Sequence, residues 1–208
     1  MINLPNDWNW HTIEDLIEDE KGSIKIGPFG SSLRKSDLSK TGYKVYGQEN
    51  VISDEYSLGD RYIDETKFSE LHQYEIRPGD FLITMMGTIG NTSIVPPEIA
   101  RGIIDSHLIR IRLRNDIIDS RYLASFFKSR LLCDQIESLS RGAIMSGLNT
   151  KTIKKIMVPL PPLETQRKIV AILDKVESLK RLYEDSIVSL EILLDSLTQK
   201  AFKGELIK

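Results

Sequence analysis

The stretch Pro159-Leu160-Pro161-Pro162-Leu163-Glu164-Thr165-Gln166-Arg167-Lys168-Ile169 divides this chain into two kinds of sequence. Three prolines in four residues make a stiff bend that no helix can cross. Beyond it Ile169, Ile172, Val176, Leu179, Tyr183, Ser186, Leu190, Leu193 and Leu197 recur in alternating steps of three and four. That is the seam of a coiled coil, interrupted only at Ser186. A helix over 165–202 would run about 57 Å at 1.5 Å per residue, and so narrow a stripe cannot bury itself. It needs a partner, and Ile169, Ile172, Val176, Leu179, Tyr183, Leu190, Leu193 and Leu197 are the candidate dimerisation residues.

Upstream the pattern is that of a compact mixed domain with glycine turns. The fold class is therefore α+β (mixed α/β), a globular domain over 1–158 followed by a helical region over 159–208. Residues 13–17 suit a short helical turn with its acids outward. Residues 24–26 read as a strand entering the turn Gly27-Pro28-Phe29-Gly30. Residues 43–51 read as a strand ending in an amide-rich edge. Residues 81–86 and 93–95 form a hairpin around Gly87-Thr88-Ile89-Gly90. Residues 103–113 read as one further strand, half exposed where Arg110 and Arg112 alternate with apolar residues. One amphipathic helix follows, capped at Asp119 or Ser120 and apolar at Tyr122, Leu123, Phe126, Phe127, Leu131, Ile136 and Leu139.

A chain of 208 residues with 40% hydrophobic and 28% charged residues can build an ordinary core and a well-solvated surface. No apolar run approaches the roughly 20 residues of a membrane span, and the N-terminus has no basic flank or apolar stretch of a secretory signal. The single cysteine, Cys133, rules out an intrachain disulfide and a multi-cysteine zinc site, and its place on the amphipathic helix suits a buried thiol. These features suit a cytoplasmic protein. No phosphate-cradling Gly-x-x-x-x-Gly-Lys-Ser/Thr or dinucleotide Gly-x-Gly-x-x-Gly run is present, so no cofactor is expected. His11, His72 and His107 lack metal-ligand spacing.

The net charge of −2 hides a basic segment, from Arg121 through Lys128, Arg130, Arg141, Lys151, Lys154 and Lys155 to Lys168. Side chains able to read base edges gather in the predicted loops: Ser31, Ser32, Arg34 and Lys35; Gln48 and Asn50; Thr84, Thr88 and Asn91; Arg141, Ser146, Asn149, Lys151 and Lys154. Arg34, Lys35, Arg141, Lys151 and Lys154 suit phosphate contacts. Each is equally a turn, cap or solvated-face residue on its own.

At Leu160-Pro161-Pro162-Leu163-Glu164-Thr165-Gln166 with Ile169-Val170, the chain resembles the conserved region of specificity subunits of type I restriction–modification systems. Ile26-Gly27-Pro28-Phe29-Gly30-Ser31-Ser32-Leu33 is similar to the opening motif of that family's target recognition domains. Gly79 to Thr84 with Gly87 to Gly90 is similar to their central hairpin. Leu148-Asn149 and Ala201-Phe202-Lys203-Gly204-Glu205-Leu206 complete the ordered set. The resemblance implies a non-catalytic subunit that reads double-stranded DNA and docks modification subunits, and through them restriction subunits. Glu164 and Gln166 are either helix-start residues or part of that docking region.

Family members usually carry two recognition domains and two helices, whereas this chain has one of each, as a half-length subunit or part of a longer one would. Antiparallel pairing with a second copy, or with a different specificity chain, would set two domains about 50 Å apart. That spans about 15 base pairs at 3.4 Å each, the scale of a bipartite target. Two rival expectations are a coiled-coil scaffold that binds no DNA and a metal-dependent nuclease built on Asp80 or Asp105.

Overall fold

A computed structural model describes residues 4–85, 90–140 and 149–207. The chain folds into two compact units, Met1–Gln166 and Arg167–Lys208. The first unit opens with strand β1 (Asn9–Thr12) and a 3-10 turn over Ile13–Leu16, whose Ile13 and Leu16 are buried. Then come β2 (Ile24–Ile26), β3 (Tyr43–Tyr46), α1 (Gln48–Ser53), β4 (Tyr62–Ile63) and α2 (Glu65–Leu71). Next are β5 (Phe81–Thr84), β6 (Thr92–Ile94), β7 (Gly102–Ile104), β8 (Leu108–Ile111), α3 (Ser120–Phe127) and α4 (Arg130–Ser140). The series closes with α5 (Thr150–Lys154), β9 (Met157–Leu160) and α6 (Leu163–Phe202).

The strands form three small sheets: β1-β9, β2-β8-β5-β6 and β4-β3-β7. All pairings are antiparallel except β3 with β7. One apolar cluster joins Tyr46, Val51, Ile76, Leu82, Val95, Ile104 and Leu108. A second joins Val45, Ile63, Phe68, Leu71 and Ile103. Strands β3 and β7 therefore send alternate side chains into different clusters, as period-two geometry requires.

Several expectations hold: β2, the β5–β6 hairpin, the 3-10 turn at Ile13, the start of α3 and the long terminal helix. Others are corrected. The predicted strand over 43–51 stops at Tyr46, because the Asn50 side chain accepts the Gly47 N–H at 3.0 Å and starts a helix there. The predicted strand over 103–113 is two strands in two sheets, turned by Asp105-Ser106-His107. Its arginine is not half exposed. Arg110 is 1% exposed, and its guanidinium donates to the carbonyls of Gln73, Glu75 and Gly22. Burial first, and then neighbouring Arg112, bring its pKa down to about 10. The single helix after Asp119 breaks into α3 and α4 at Lys128-Ser129, and Cys133 on α4 is exposed.

In the second unit α6 continues unbroken; Ile169 is half-buried, and the apolar seam residues from Ile172 at 63% to Leu197 at 40% are exposed. The apolar face is broader than the seam. Leu173, Ile187 and Leu194 each follow a seam position by one or four residues and are also exposed. Ser186 donates its hydroxyl to the Leu182 carbonyl of its own helix. No helix among the described residues is long and apolar enough to cross a membrane.

Candidate nucleic-acid interface

Sheet register brings several of the predicted loops together. Ile26 faces Ile109, Thr84 faces Leu108, Ile83 faces Thr92 and Tyr46 faces Ile104. The outgoing ends of β2, β3, β5 and β7 and the incoming ends of β6 and β8 thus share one end of the domain. Bonds across the ends fix this arrangement: Gly27 N–H to Leu108 O at 3.1 Å, Met85 N–H to His107 O at 2.8 Å, and Asp105 N–H to Tyr46 O at 2.8 Å. Gly27 is required by close approach, since a Cβ there would lie 1.9 Å from the Asp105 carbonyl oxygen. Gly30 is required by backbone conformation, with φ at 56°.

An ion-paired bracket lies under this end. Arg61 donates to Asp105 at 2.9 Å and to Glu49 at 2.8 Å. Burial opposes its charge, but the hydrogen bond and attraction to Asp105 outweigh that and raise its pKa. Asp105 also accepts the His107 backbone N–H at 2.9 Å, with the His107 ring nitrogen 3.4 Å away. Neither Arg61 nor His107 carried a motif in the sequence; the β7–β8 turn sets His107 beside Asp105, and the sheet brings Arg61 to the same carboxylate. Phe29 was quoted only as part of a turn, yet its ring is 55% exposed on the loop after β2.

The sequence candidates divide into groups. Ser31, Ser32, Arg34 and Lys35 are exposed on the connection leaving β2. Arg34 and Lys35 are exposed and have no ion-pair partner among the described residues. Gln48 heads α1, with its Oε1 buried and without a partner among the described residues. Asn91 is half-buried, and its backbone N–H donates to Thr84 Oγ1 at 3.1 Å.

Two candidates are corrected. Asn50 is 0% exposed, and its amide donates to the carbonyls of Glu55 and Leu58 at 3.0 and 2.9 Å while its oxygen caps α1. Thr84 is also 0% exposed, with its hydroxyl held by the turn. Neither reaches solvent, so both build the loops rather than read with them. Thr88, Arg141 and Ser146 lie outside the described residues. Asn149 caps α5 by accepting the Thr152 N–H at 3.0 Å, and Lys151 on that helix is exposed. Lys154 pairs with Glu14 at 2.8 Å beside the chain that precedes β2. That places it at the sheet end where β2 begins, away from the loops, with its charge already answered.

The two carboxylates of the nuclease alternative are separate and committed. Asp80 precedes β5 and accepts the Arg77 N–H at 2.9 Å and Arg112 at 3.3 Å. Burial raises its pKa against those bonds. Asp105 lies near the other end of the same strands, about 13 Å away at roughly 3.4 Å per residue along β5. They cannot share one cation. Gln166, left open between helix start and docking, is 0% exposed. It accepts the Asp119 N–H at 2.8 Å and donates to Ile117 O and Pro161 O, each at 2.9 Å.

Residues 5–191 match the family model for the type I restriction modification DNA specificity domain. The chain is similar to the type I restriction enzyme EcoBI specificity subunit of Escherichia coli, at 25% identity over 99% of this chain and 43% of the relative. It is 34% identical, over 58% of its length and 30% of the relative's, to a putative type I restriction enzyme specificity subunit of Haemophilus influenzae. Among solved structures it resembles the HsdS subunit from Thermoanaerobacter tengcongensis, with a TM-score of 0.64, 25% identity, and coverage of 99% of this chain and 47% of that one. The chain thus spans less than half the length of these relatives. With the match covering most of its residues, this chain belongs to the family of type I restriction–modification DNA specificity domains.

Proposed function

We propose that the chain is a sequence-reading module of a type I restriction–modification complex, without catalysis of its own. The observation that carries this reading is the gathering of the loops after β2, β3, β5 and β7 at one sheet end. Ser31, Ser32, Gln48 and Asn91 supply hydrogen-bonding side chains for base edges. Arg34 and Lys35 supply phosphate contacts. Such a module reads one half of a bipartite target on double-stranded DNA.

The second half of the target requires a second module. The apolar face of α6 supports antiparallel pairing with a second copy, or with another specificity chain, and a two-fold axis makes one surface serve both partners. The region of the proline bend and α6 is the docking element for modification subunits, and the assembly works in the cytoplasm.

Selection of duplex DNA from a randomised pool by the purified chain, with modification subunits added in parallel, tests the reading. The expected product is an interrupted repeat, and Gln48→Ala relaxes one position in each half. A selected pool without sequence enrichment in either arm refutes it. Sedimentation showing a monomer at micromolar concentration refutes the self-pairing.

A further inference from the structure

Asp105-Ser106-His107, the turn from β7 into β8, is tied by its backbone to three neighbouring strands. The Leu108 N–H closes it on the Asp105 carbonyl at 3.2 Å. Asp105 N–H donates to Tyr46 O at the end of β3, Met85 N–H after β5 donates to His107 O, and Gly27 N–H after β2 donates to Leu108 O. His107 therefore stands where the loops after β2, β3 and β5 meet. Its neighbours are buried, Asp105 at 5% and Leu108 at 0% exposure, yet its own side chain is 45% exposed.

The ring is also oriented. Its Nδ1 lies 3.4 Å from Asp105 Oδ1, the oxygen that accepts the His107 backbone N–H at 2.9 Å. The other oxygen of that carboxylate is held by Arg61 at 2.9 Å. A carboxylate beside one ring nitrogen favours the proton there, which leaves the lone pair of the neutral ring on Nε2. Nε2 has no hydrogen-bond partner among the described residues. Arg61 is shared with Glu49 as well as Asp105, so the bracket beside the ring carries one net negative charge. That field disfavours a phosphate and favours a hydrogen-bond donor.

We propose that His107 is a specificity-determining residue of this interface, its Nε2 accepting a hydrogen bond from the exocyclic amine of an adenine or cytosine in the major groove. The inference rests on the DNA-reading module proposed above. Adenine N6 and cytosine N4 are the donors that base edges present in that groove, and a neutral imidazole nitrogen is the matching acceptor. Asp105 and Arg61 are positioning residues, holding the ring and its proton while making no contact with the base. A ring held in place before binding loses little rotamer freedom on contact, so more of the hydrogen bond is available for discrimination.

Selection of duplex DNA from a randomised pool by the full chain with modification subunits, run side by side for wild type and His107→Ala, tests the proposal. The variant is expected to keep its thermal unfolding midpoint and to lose enrichment at one position in each half while the other positions stay. Its affinity for the wild-type target is expected to fall about fivefold, the worth of one hydrogen bond. Replacing the adenine or cytosine at that position by an analogue without the exocyclic amine should cost the wild-type chain about the same fivefold, and the variant nothing more. A variant pool enriched like that of the wild type, losses from the two changes that multiply, or a variant that fails to fold overturns the proposal and leaves the reading module standing. A wild-type pool without enrichment overturns both.

Discussion

Replacing Gln166 by leucine removes one acceptor and two donors from a site with no solvent contact. The amide ties the first turn of α6 to the chain before α3, through Ile117 and Asp119, and to Pro161 in the bend. Three net hydrogen bonds at about 1 kcal/mol each, with buried partners left unpaired, give a loss of about 3–5 kcal/mol. A urea dependence of about 1–3 kcal/mol per molar turns that into a midpoint lower by more than about 1 M. Tryptophan fluorescence is the suitable probe, because Trp10 lies in β1, which pairs with β9 just before the bend. Gln166→Glu sharpens the test. The carboxylate keeps the acceptor for Asp119 but turns negative charge on two carbonyls, so the loss at pH 7 should be at least as large. It should shrink as pH falls, when the acid protonates and regains one donor. A leucine variant whose midpoint moves by less than about 0.3 M would refute the reasoning, and would return Gln166 to a role in docking.

Asn50→Ala is expected to lower stability by about 2 kcal/mol or more and to leave DNA affinity per folded molecule unchanged, measured by urea unfolding beside binding. Joint Arg34→Ala and Lys35→Ala substitution is expected to weaken all DNA sequences alike and to reduce the salt slope by about 1.8, that is about 0.9 per phosphate contact, in a salt titration. Leu190→Lys, in the exposed face of α6, is expected to shift the chain toward monomer in sedimentation while thermal unfolding of the first unit stays in place. Thr12→Ala removes the hydroxyl that chiefly holds the Asp15 carboxyl below its ordinary value. The stability Asp15 contributes above that value and loses as pH falls through its lowered pKa should diminish, seen as a flatter acid limb in pH-dependent unfolding.

The proline bend and heptad steps carried the long helix because both signals are local: a fixed φ and a repeat along one chain. The β5–β6 hairpin was legible for the same reason. Strand β1 was not, because its partner β9 lies far along the chain, with Asn9 opposite Leu160. Arg110 misled because alternation with apolar residues reads as a wet face. Here three carbonyls replace the water. The loops of the candidate interface were found by residue type, but Asn50 and Thr84 have the same chemistry as a base reader and spend it on their own turns. Composition cannot separate those uses. Arg61 carried no signal, since only the folded sheet brings it beside Asp105, 44 residues further along the chain.

The end of the sheets where the loops meet separates two kinds of position along the same short stretches of chain. Gly27, Asn50, Thr84 and Asp105 hold backbone in place and tolerate little change. Ser31, Ser32, Arg34 and Lys35 stand exposed beside them and hold nothing that the core depends on. A lineage can therefore rewrite the exposed set one residue at a time at little cost in stability. On the proposed reading of DNA by these loops, new target sequences become reachable by single steps, while the frame that presents them is inherited intact.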